Sequence, residues 1–142
     1  MTTQSTPELS SPLKNLRKMV GLAVGNSMPS AVQRNSFIVN EVPDEFHIAT
    51  DEIALSNVLD RLLHTIVNSS KHSCIRVKAK EYDDIIFLCV KDNSSFSDYH
   101  ANDHMDEVKQ LARKMNGSVT IENTENNSTK ILLTFPNFPK AA

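Results

Sequence analysis

Two histidines four residues apart, His100 and His104, have a spacing that would place both imidazoles on one face of a helix, as in a zinc site. Asp98, Asp103 and Asp106 are close to them in sequence and could add carboxylate ligands. The surrounding segment is, however, typical of a solvated helix start. The sequence therefore predicts no metal site here.

The two cysteines, Cys74 and Cys89, are too far apart in sequence for a CxxC metal or redox motif. They fall on neighbouring predicted strands, where they could face each other across a hairpin. In a reducing compartment we expect them to stay free thiols. A nucleophilic cysteine needs a basic neighbour, and only Lys91 is close to Cys89 in sequence. No Ser-His-Asp arrangement can be argued either, so no catalytic residue is predicted.

Glycine is scarce, with only Gly21, Gly25 and Gly117 in the chain. A loop that cradles phosphate needs clustered glycines, because its backbone N–H groups must approach the anion closely. None of the three glycines lies in such a cluster. Gly117 instead follows Asn116 at the end of a predicted helix, where we expect it to take the left-handed conformation.

The composition indicates one globular domain: the chain has 142 residues, of which 39% are hydrophobic and 23% charged. Its formal net charge of −2 provides no basic field for nucleic acid. No apolar run approaches the ~20 residues of a membrane-spanning helix, and the N-terminus lacks the pattern of a signal peptide. We therefore expect a cytoplasmic protein that neither binds nucleic acid nor inserts into a membrane.

Apolar residues three and four positions apart predict three amphipathic helices. The first begins at Pro12 and ends near Asn35, the second is capped by Thr50 or Asp51, and the third ends at Asn116. The second has the strongest apolar stripe, formed by Leu55, Val58, Leu59, Leu62, Leu63, Ile66 and Val67.

Six strands are predicted at residues 36–42, 46–49, 74–81, 85–91, 118–122 and 130–135. The third and fourth of these form an antiparallel hairpin. Each helix is followed by two strands, which predicts an α+β protein, a two-layer α/β sandwich with one mixed sheet and the helices on one face. Residues 13–136 make up this domain, between a flexible leader at 1–12 and a C-terminal tail at 137–142.

The strand at 85–91 is apolar on both faces, although a sheet covered on one side needs only one apolar face. If its even-numbered residues face the helices, Phe87 and Cys89 point away from them, as Leu132 does on the last strand. An exposed patch of this kind is costly without a cover. We therefore predict that a protein partner or a second copy of the chain binds there. The alternative is that the leader or Phe138 folds over the patch.

The element order and four segments together resemble the ATP-binding domain of bacterial sensor histidine kinases, part of the gyrase, chaperone, histidine-kinase and mismatch-repair ATPase superfamily. VLDRLLHTIVNSS (58–70) resembles the Asn-box helix of that family, and VKDNSSF (90–96) resembles its Asp-x-Gly-x-Gly strand end. VKQLARKMNGSVTIEN (108–123) is similar to the helix and strand after its glycine-rich lid, and NNSTKILLTFP (126–136) to its closing Gly-Thr strand. The resemblance implies the histidine-kinase-type, Bergerat-like ATPase fold over residues 13–136.

The residues that bind metal and phosphate in that family are replaced here. The Asn that coordinates Mg²⁺ is matched by Thr65, and a second Asn one turn earlier is matched by Arg61. A lone hydroxyl is a poor Mg²⁺ ligand without carboxylate or amide neighbours.

The glycines of the family motifs are also replaced. Ser94 and Phe96 match the two glycines after the aspartate, and Asn102 and His104 match those of the lid. Phe96 would need a positive φ angle or would fill the space beside the nucleotide.

The adenine side of the family's site is retained. Asp92 matches the aspartate that hydrogen-bonds the adenine amino group, and Thr129 matches the threonine of the Gly-Thr pair. These two residues are the predicted remnant of a nucleotide site.

The resemblance and its departures together imply a degenerate histidine-kinase-type ATP-binding domain, which acts as an interaction or regulatory module in bacterial signal transduction without ATP or Mg²⁺. One alternative is the catalytic domain of a divergent sensor histidine kinase, which would use ATP and Mg²⁺ for phosphotransfer to a protein histidine. A second is an anti-sigma-factor-like regulator, although such proteins normally keep their ATP motifs.

Overall fold

Three helices cover one face of a five-stranded sheet in the computed structural model, which describes residues 13–93, 101–123 and 128–137. The helices are α1 (Leu16–Gln33), α2 (Glu52–Ser69) and α3 (Ala101–Arg113). The strands are β1 (Lys14–Asn15), β2 (Phe37–Asn40), β3 (His47–Ile48), β4 (Cys74–Tyr82), β5 (Ile85–Asp92), β6 (Ser118–Asn123) and β7 (Thr129–Pro136). The predicted two-layer α+β sandwich is confirmed.

The sheet has the strand order β2-β4-β5-β7-β6 and is mixed, because β2 and β4 are parallel while the other neighbours are antiparallel. One detail of the prediction is wrong: the short strand at 46–49 does not join this sheet. Its core, β3, pairs with β1 in a separate two-stranded sheet. A strand of two residues has no hydrophobic pattern that could indicate its partner.

The second helix forms the centre of the helical layer and packs against both α1 and α3. Its whole predicted apolar stripe is buried. Asp51 caps its N-terminus, where the carboxylate accepts hydrogen bonds from the backbone N–H groups of Ile53 (2.9 Å) and Ala54 (3.2 Å).

The first helix begins four residues later than expected, because Asn15 caps it by accepting a hydrogen bond from the Lys18 N–H. It is one helix through Gln33 with Pro29 inside it.

The end of α3 corrects the expectation for Gly117. Asn116 takes the left-handed conformation, with φ of 60°, and Gly117 does not. The glycine is needed for space instead, because a Cβ at this position would lie 2.4 Å from the carbonyl oxygen of Thr134 on β7. The absence of a side chain therefore lets the chain leave α3 directly against the sheet.

The β4–β5 hairpin sets which side chains face the helices. Asp83 and Asp84 both have positive φ angles, 57° and 63°, as a two-residue type I′ turn requires. The resulting register buries the even-numbered β5 residues Ile86, Leu88 and Val90 against the helices.

The opposite side of the sheet, here called the open face, carries the alternate side chains of each strand. On the three central strands these include Arg76, Lys78 and Lys80 of β4, Phe87, Cys89 and Lys91 of β5, and Lys130 and Leu132 of β7. In the part of the chain that the structure describes, no helix combines the length and apolarity needed to cross a membrane.

Candidate functional site

A buried polar cluster lies where β5 ends and β7 begins. Asp92 and Thr129 are directly paired in the antiparallel register, and both are on the side of the sheet that faces the helices. They are almost fully buried, with exposed fractions of 1% and 0%. The two residues predicted to survive on the adenine side therefore lie next to each other.

Ser70, at the C-terminal cap of α2, completes what we call the Asp92 cluster (Asp92, Thr129 and Ser70). Its hydroxyl donates a hydrogen bond to the Asp92 carboxylate, and the same oxygen is 2.7 Å from the carbonyl oxygen of Ile66. Sequence reasoning missed this residue. The only signal was that Ser70 follows Ile66 by one helical turn, and so continues the buried face of α2.

The two Asn-box positions lie on a different part of α2. Arg61 reaches across to α3, where its Nη2 atom is 3.5 Å from an Oε atom of Glu107. Thr65, one turn later, is buried. Asn68, another turn along the same helix, has its side-chain nitrogen 2.9 Å from Nε2 of His64.

Arg61 also lines a shallow groove on the solvent side of α2, with a volume of about 550 Å³. All three helices contribute to its walls, including Asn26 of α1, Asp60 of α2 and Glu107 of α3. Asn26 donates a hydrogen bond to Asp60 over 3.2 Å. The groove thus contains both signs of charge, already partly paired with each other.

The predicted glycine-replacement positions fall mostly outside the described structure. Ser94 and Phe96 are not in the described residues. The backbones of Asn102 and His104 belong to α3, but their side chains are not described. Within the described ranges, no group of three or more His, Cys, Asp or Glu side chains could hold a metal ion.

The predicted apolar patch (Phe87, Cys89 and Leu132) is assembled on the open face. Cys89 and Leu132 are paired across β5 and β7, and Phe87 is two residues further along β5. All three are half-buried rather than fully exposed. They line a shallow concavity of about 610 Å³ together with Lys78 and Lys80, whose aliphatic stems can cover apolar surface.

Phe37, at the β2 edge of the open face, is more exposed than the predicted patch, at 55%. Its orientation follows from the parallel pairing of β2 with β4, which places Phe37 opposite Cys74.

The register of β4 with β5 corrects the expectation that the two cysteines face each other. The residue opposite Cys89 is Lys78, so Cys74 and Cys89 do not face each other across the hairpin. Both are free thiols.

The fold is that of the catalytic, ATP-binding domain of histidine kinases. The chain is similar in structure to the Acinetobacter baumannii histidine kinase AdeS, with a TM-score of 0.76 and 10% identity over 89% of this chain and 66% of that one. Similarity to the catalytic domain of histidine kinase ThkA gives a TM-score of 0.72 and 14% identity, over 91% of this chain and 98% of that one.

A third similar structure is ThkA in complex with the response regulator protein TrrA, with a TM-score of 0.70 and 15% identity over 89% of this chain and 41% of that one. The chain therefore spans less than two thirds of the AdeS structure and of the ThkA chain in this complex. No protein-family model matches the sequence, and no curated protein matches it.

Proposed function

We propose that this chain is a degenerate histidine-kinase-type ATP-binding domain, which serves as a cytoplasmic interaction or regulatory module in bacterial signal transduction and does not transfer phosphate. The observation that carries the proposal is the contact of Arg61 with Glu107, 3.5 Å across the α2–α3 boundary. By the resemblance to the kinase family, Arg61 stands where that family has an asparagine, and its ion pair with Glu107 supports the proposal that this position does not bind Mg²⁺.

The α2 residues that match the metal-binding positions of the kinase family do not suit Mg²⁺. This ion requires oxygen ligands in near-octahedral geometry. A guanidinium has no lone pair to offer, and Arg61 is engaged with Glu107. Thr65 supplies at most one neutral hydroxyl. Without a metal to neutralise phosphate charge, phosphoryl transfer loses its main source of transition-state stabilisation.

A role in protein contact suits what remains of the domain. Phe87, Cys89 and Leu132 form an apolar concavity on a sheet face that no helix covers in the described structure. ThkA, a protein of the same fold, has been captured with a response regulator. A domain without phosphate chemistry can still act by holding such a partner through its surface.

The catalytic domain of a divergent histidine kinase is the second candidate, and the Asp92 cluster favours it. A buried carboxylate beside two hydroxyls is a suitable polar environment for the edge of an adenine ring. In the degenerate domain, by contrast, the cluster would be the whole nucleotide site. Adenosine and ADP should then bind nearly as well as ATP, since no phosphate site would add affinity.

Calorimetric titration with adenosine, ADP and ATP, each with and without Mg²⁺, separates the two candidates. We expect no turnover of ATP and no gain in affinity from Mg²⁺. Any adenosine binding should disappear in Asp92→Ala, while Thr65→Ala should leave it unchanged. Mg²⁺-dependent binding that strongly prefers ATP, or ATP turnover that Thr65→Ala abolishes, would overturn the proposal in favour of the kinase.

A further inference from the structure

Three cations lie side by side on the open face, near one end of the three central strands. The antiparallel registers place Arg76 opposite Lys91, and Lys91 opposite Lys130, on three neighbouring strands. We call these residues the basic row. Adjacent strands are ~4.8 Å apart, and like charges directly opposite each other destabilise a sheet.

The protein compensates the charge of this row only in part, although Glu122 on β6 lies opposite Lys130 on the same face. Arg76 forms an ion pair with Glu41 at 2.8 Å, and Glu41 is also 3.9 Å from Lys78. Among the described residues, neither Lys91 nor Lys130 takes part in an ion pair. The chain as a whole is acidic, with a net charge of −2, so the basic row stands out against the rest of the molecule.

The apolar patch begins two residues along the same strands. Cys89 and Leu132 are adjacent to Lys91 and Lys130 on this face, at the ~7 Å spacing of alternate residues in a strand. Phe87 lies one further step away, and Lys80 is opposite it. The open face can therefore bind carboxylates and bury apolar side chains at neighbouring positions. The spacing of these positions matches the spacing of side chains along one polypeptide segment.

We propose that the open face binds an acidic segment of a protein partner, whose carboxylates contact the basic row while its apolar side chains cover Phe87, Cys89 and Leu132. This inference rests on the proposed function, since it specifies the chemistry of the partner of the same module. A second copy of this chain is a poor occupant, because its open face carries the same cations and offers the basic row little negative charge.

A protein segment suits this face better than a long polyanion or an anionic membrane. The basic row is only three strands wide, and the surrounding chain carries an excess of acidic residues that repels an extended anion. Single-stranded nucleic acid also needs exposed aromatic rings for base stacking. On this face Phe87 is half-buried, and the exposed rings of Phe37 and Tyr82 lie apart from each other, on the edge strand β2 and at the far end of β4.

Selection from a phage-displayed library of random dodecapeptides tests the proposal. The bait is the full chain, and counter-selection uses the variant Lys91→Glu/Lys130→Glu. We expect enrichment of peptides that combine Asp or Glu with Leu, Ile or Phe. The best synthetic peptide should bind the charge-reversed variant about tenfold or more weakly than wild type.

The control variant Lys18→Glu/Lys114→Glu makes the same change in net charge through exposed residues outside the sheet. It should bind the peptide as wild type does, and circular dichroism should show that both variants are folded.

Protection of a thiol on the open face gives a second measurement. In a Cys74→Ala background, Cys89 is the single thiol of the chain. The peptide should then slow the alkylation of Cys89 by N-ethylmaleimide.

Oligo(dT) and vesicles of phosphatidylserine and phosphatidylcholine are assayed in parallel. The proposal is wrong if no peptide is enriched, if enriched peptides lack acidic residues, or if they bind both charge variants equally. Tighter binding of oligo(dT) or vesicles to the basic row would assign the face to a different class of partner.

An ATP titration of the same samples tests the proposed function separately, because Mg²⁺-dependent turnover would refute that function without removing peptide binding.

Discussion

Gly117 shows, at the scale of single residues, that a glycine after a helix can be needed for space rather than for its backbone dihedral angles. Its N–H donates to the carbonyl oxygen of Ala112, 2.8 Å away, and closes the end of α3. The strand β7 lies so close that Thr134 leaves no room for a side chain at this position. Asn116 takes the left-handed conformation instead, and asparagine tolerates this conformation better than most residues do.

We expect Gly117→Ala to lower the free energy of unfolding by about 1–3 kcal/mol, the cost of forcing extra volume into a packed site. The 2.4 Å contact is with backbone, which cannot move aside as a flexible side chain would. Urea denaturation of the wild type and the variant measures the difference.

Gly25→Ala is the matched control for this prediction. Gly25 lies inside α1, and a Cβ there would meet no atom within 4 Å. Alanine should therefore raise stability by about 0.5–1 kcal/mol, because it is the better helix former. Equal effects of the two substitutions would show that close packing at Gly117 has no energetic consequence.

The second helix is the element on which the architecture depends. It lies between α1 and α3, and its apolar stripe packs against the sheet. The same helix carries Arg61 and Thr65 and ends at Ser70, so it positions both halves of the candidate site. Arg61 points to solvent, whereas Thr65 and Ser70 are buried with the apolar stripe.

Leu62→Ala should destabilise the protein by about 2–5 kcal/mol, since Leu62 is fully buried and its removal leaves a cavity. Ile53→Ala is the control on the same helix, where 75% of the side chain is exposed. That change should stay within about 0.5 kcal/mol. Thermal or urea unfolding of the pair gives the comparison, and a loss below about 1 kcal/mol for Leu62→Ala would mean that α2 is not central to the core.

The central strands supply a second prediction at this scale. Lys91→Gln removes the middle charge of the basic row, so the repulsion with Arg76 and Lys130 is lost. Stability should rise by about 0.2–1 kcal/mol at low salt, and the gain should shrink as added salt screens the charges. The corresponding change Lys18→Gln, on the outer surface of α1, should produce no such salt-dependent gain. A destabilised Lys91→Gln variant would argue against repulsion within the row.

The whole molecule combines an acidic net charge with a basic, partly apolar sheet face. Burying the apolar patch favours association, at ~25 cal/mol for each Å² of apolar surface. Self-association through this face would, however, match the basic row with a face that carries the same cations. Apolar burial together with charge therefore favours binding of a different protein that carries carboxylates over binding of a second copy of this chain.

We therefore expect sedimentation velocity to find a monomer at physiological ionic strength. Phe87→Glu should also be monomeric and folded, since Phe87 points away from the helical core. A wild-type dimer that Phe87→Glu dissociates would show instead that apolar burial outweighs the poor charge match between two copies of the open face.

The sequence by itself determined the three helices and their order among six of the strands that the structure describes, but it missed β1, whose residues it assigned to the first helix. Apolar periodicity located the three helices, and the N-terminal cap of the second was expected at Thr50 or Asp51, of which Asp51 forms it. That Asp92 and Thr129 belong to one side of a site was expected only through the resemblance to a known family. These features are accessible because each depends on a local repeat or on a motif within one segment.

Only the tertiary structure decided how the elements meet. The basic row exists because two strand registers align Arg76, Lys91 and Lys130, which are distant in sequence. The contact of Ser70 with Asp92, the pairing of β1 with β3 and the packing of Gly117 against Thr134 arise in the same way. Register and close approach are set by turns and by packing between distant segments, and these leave no periodic signal in the sequence.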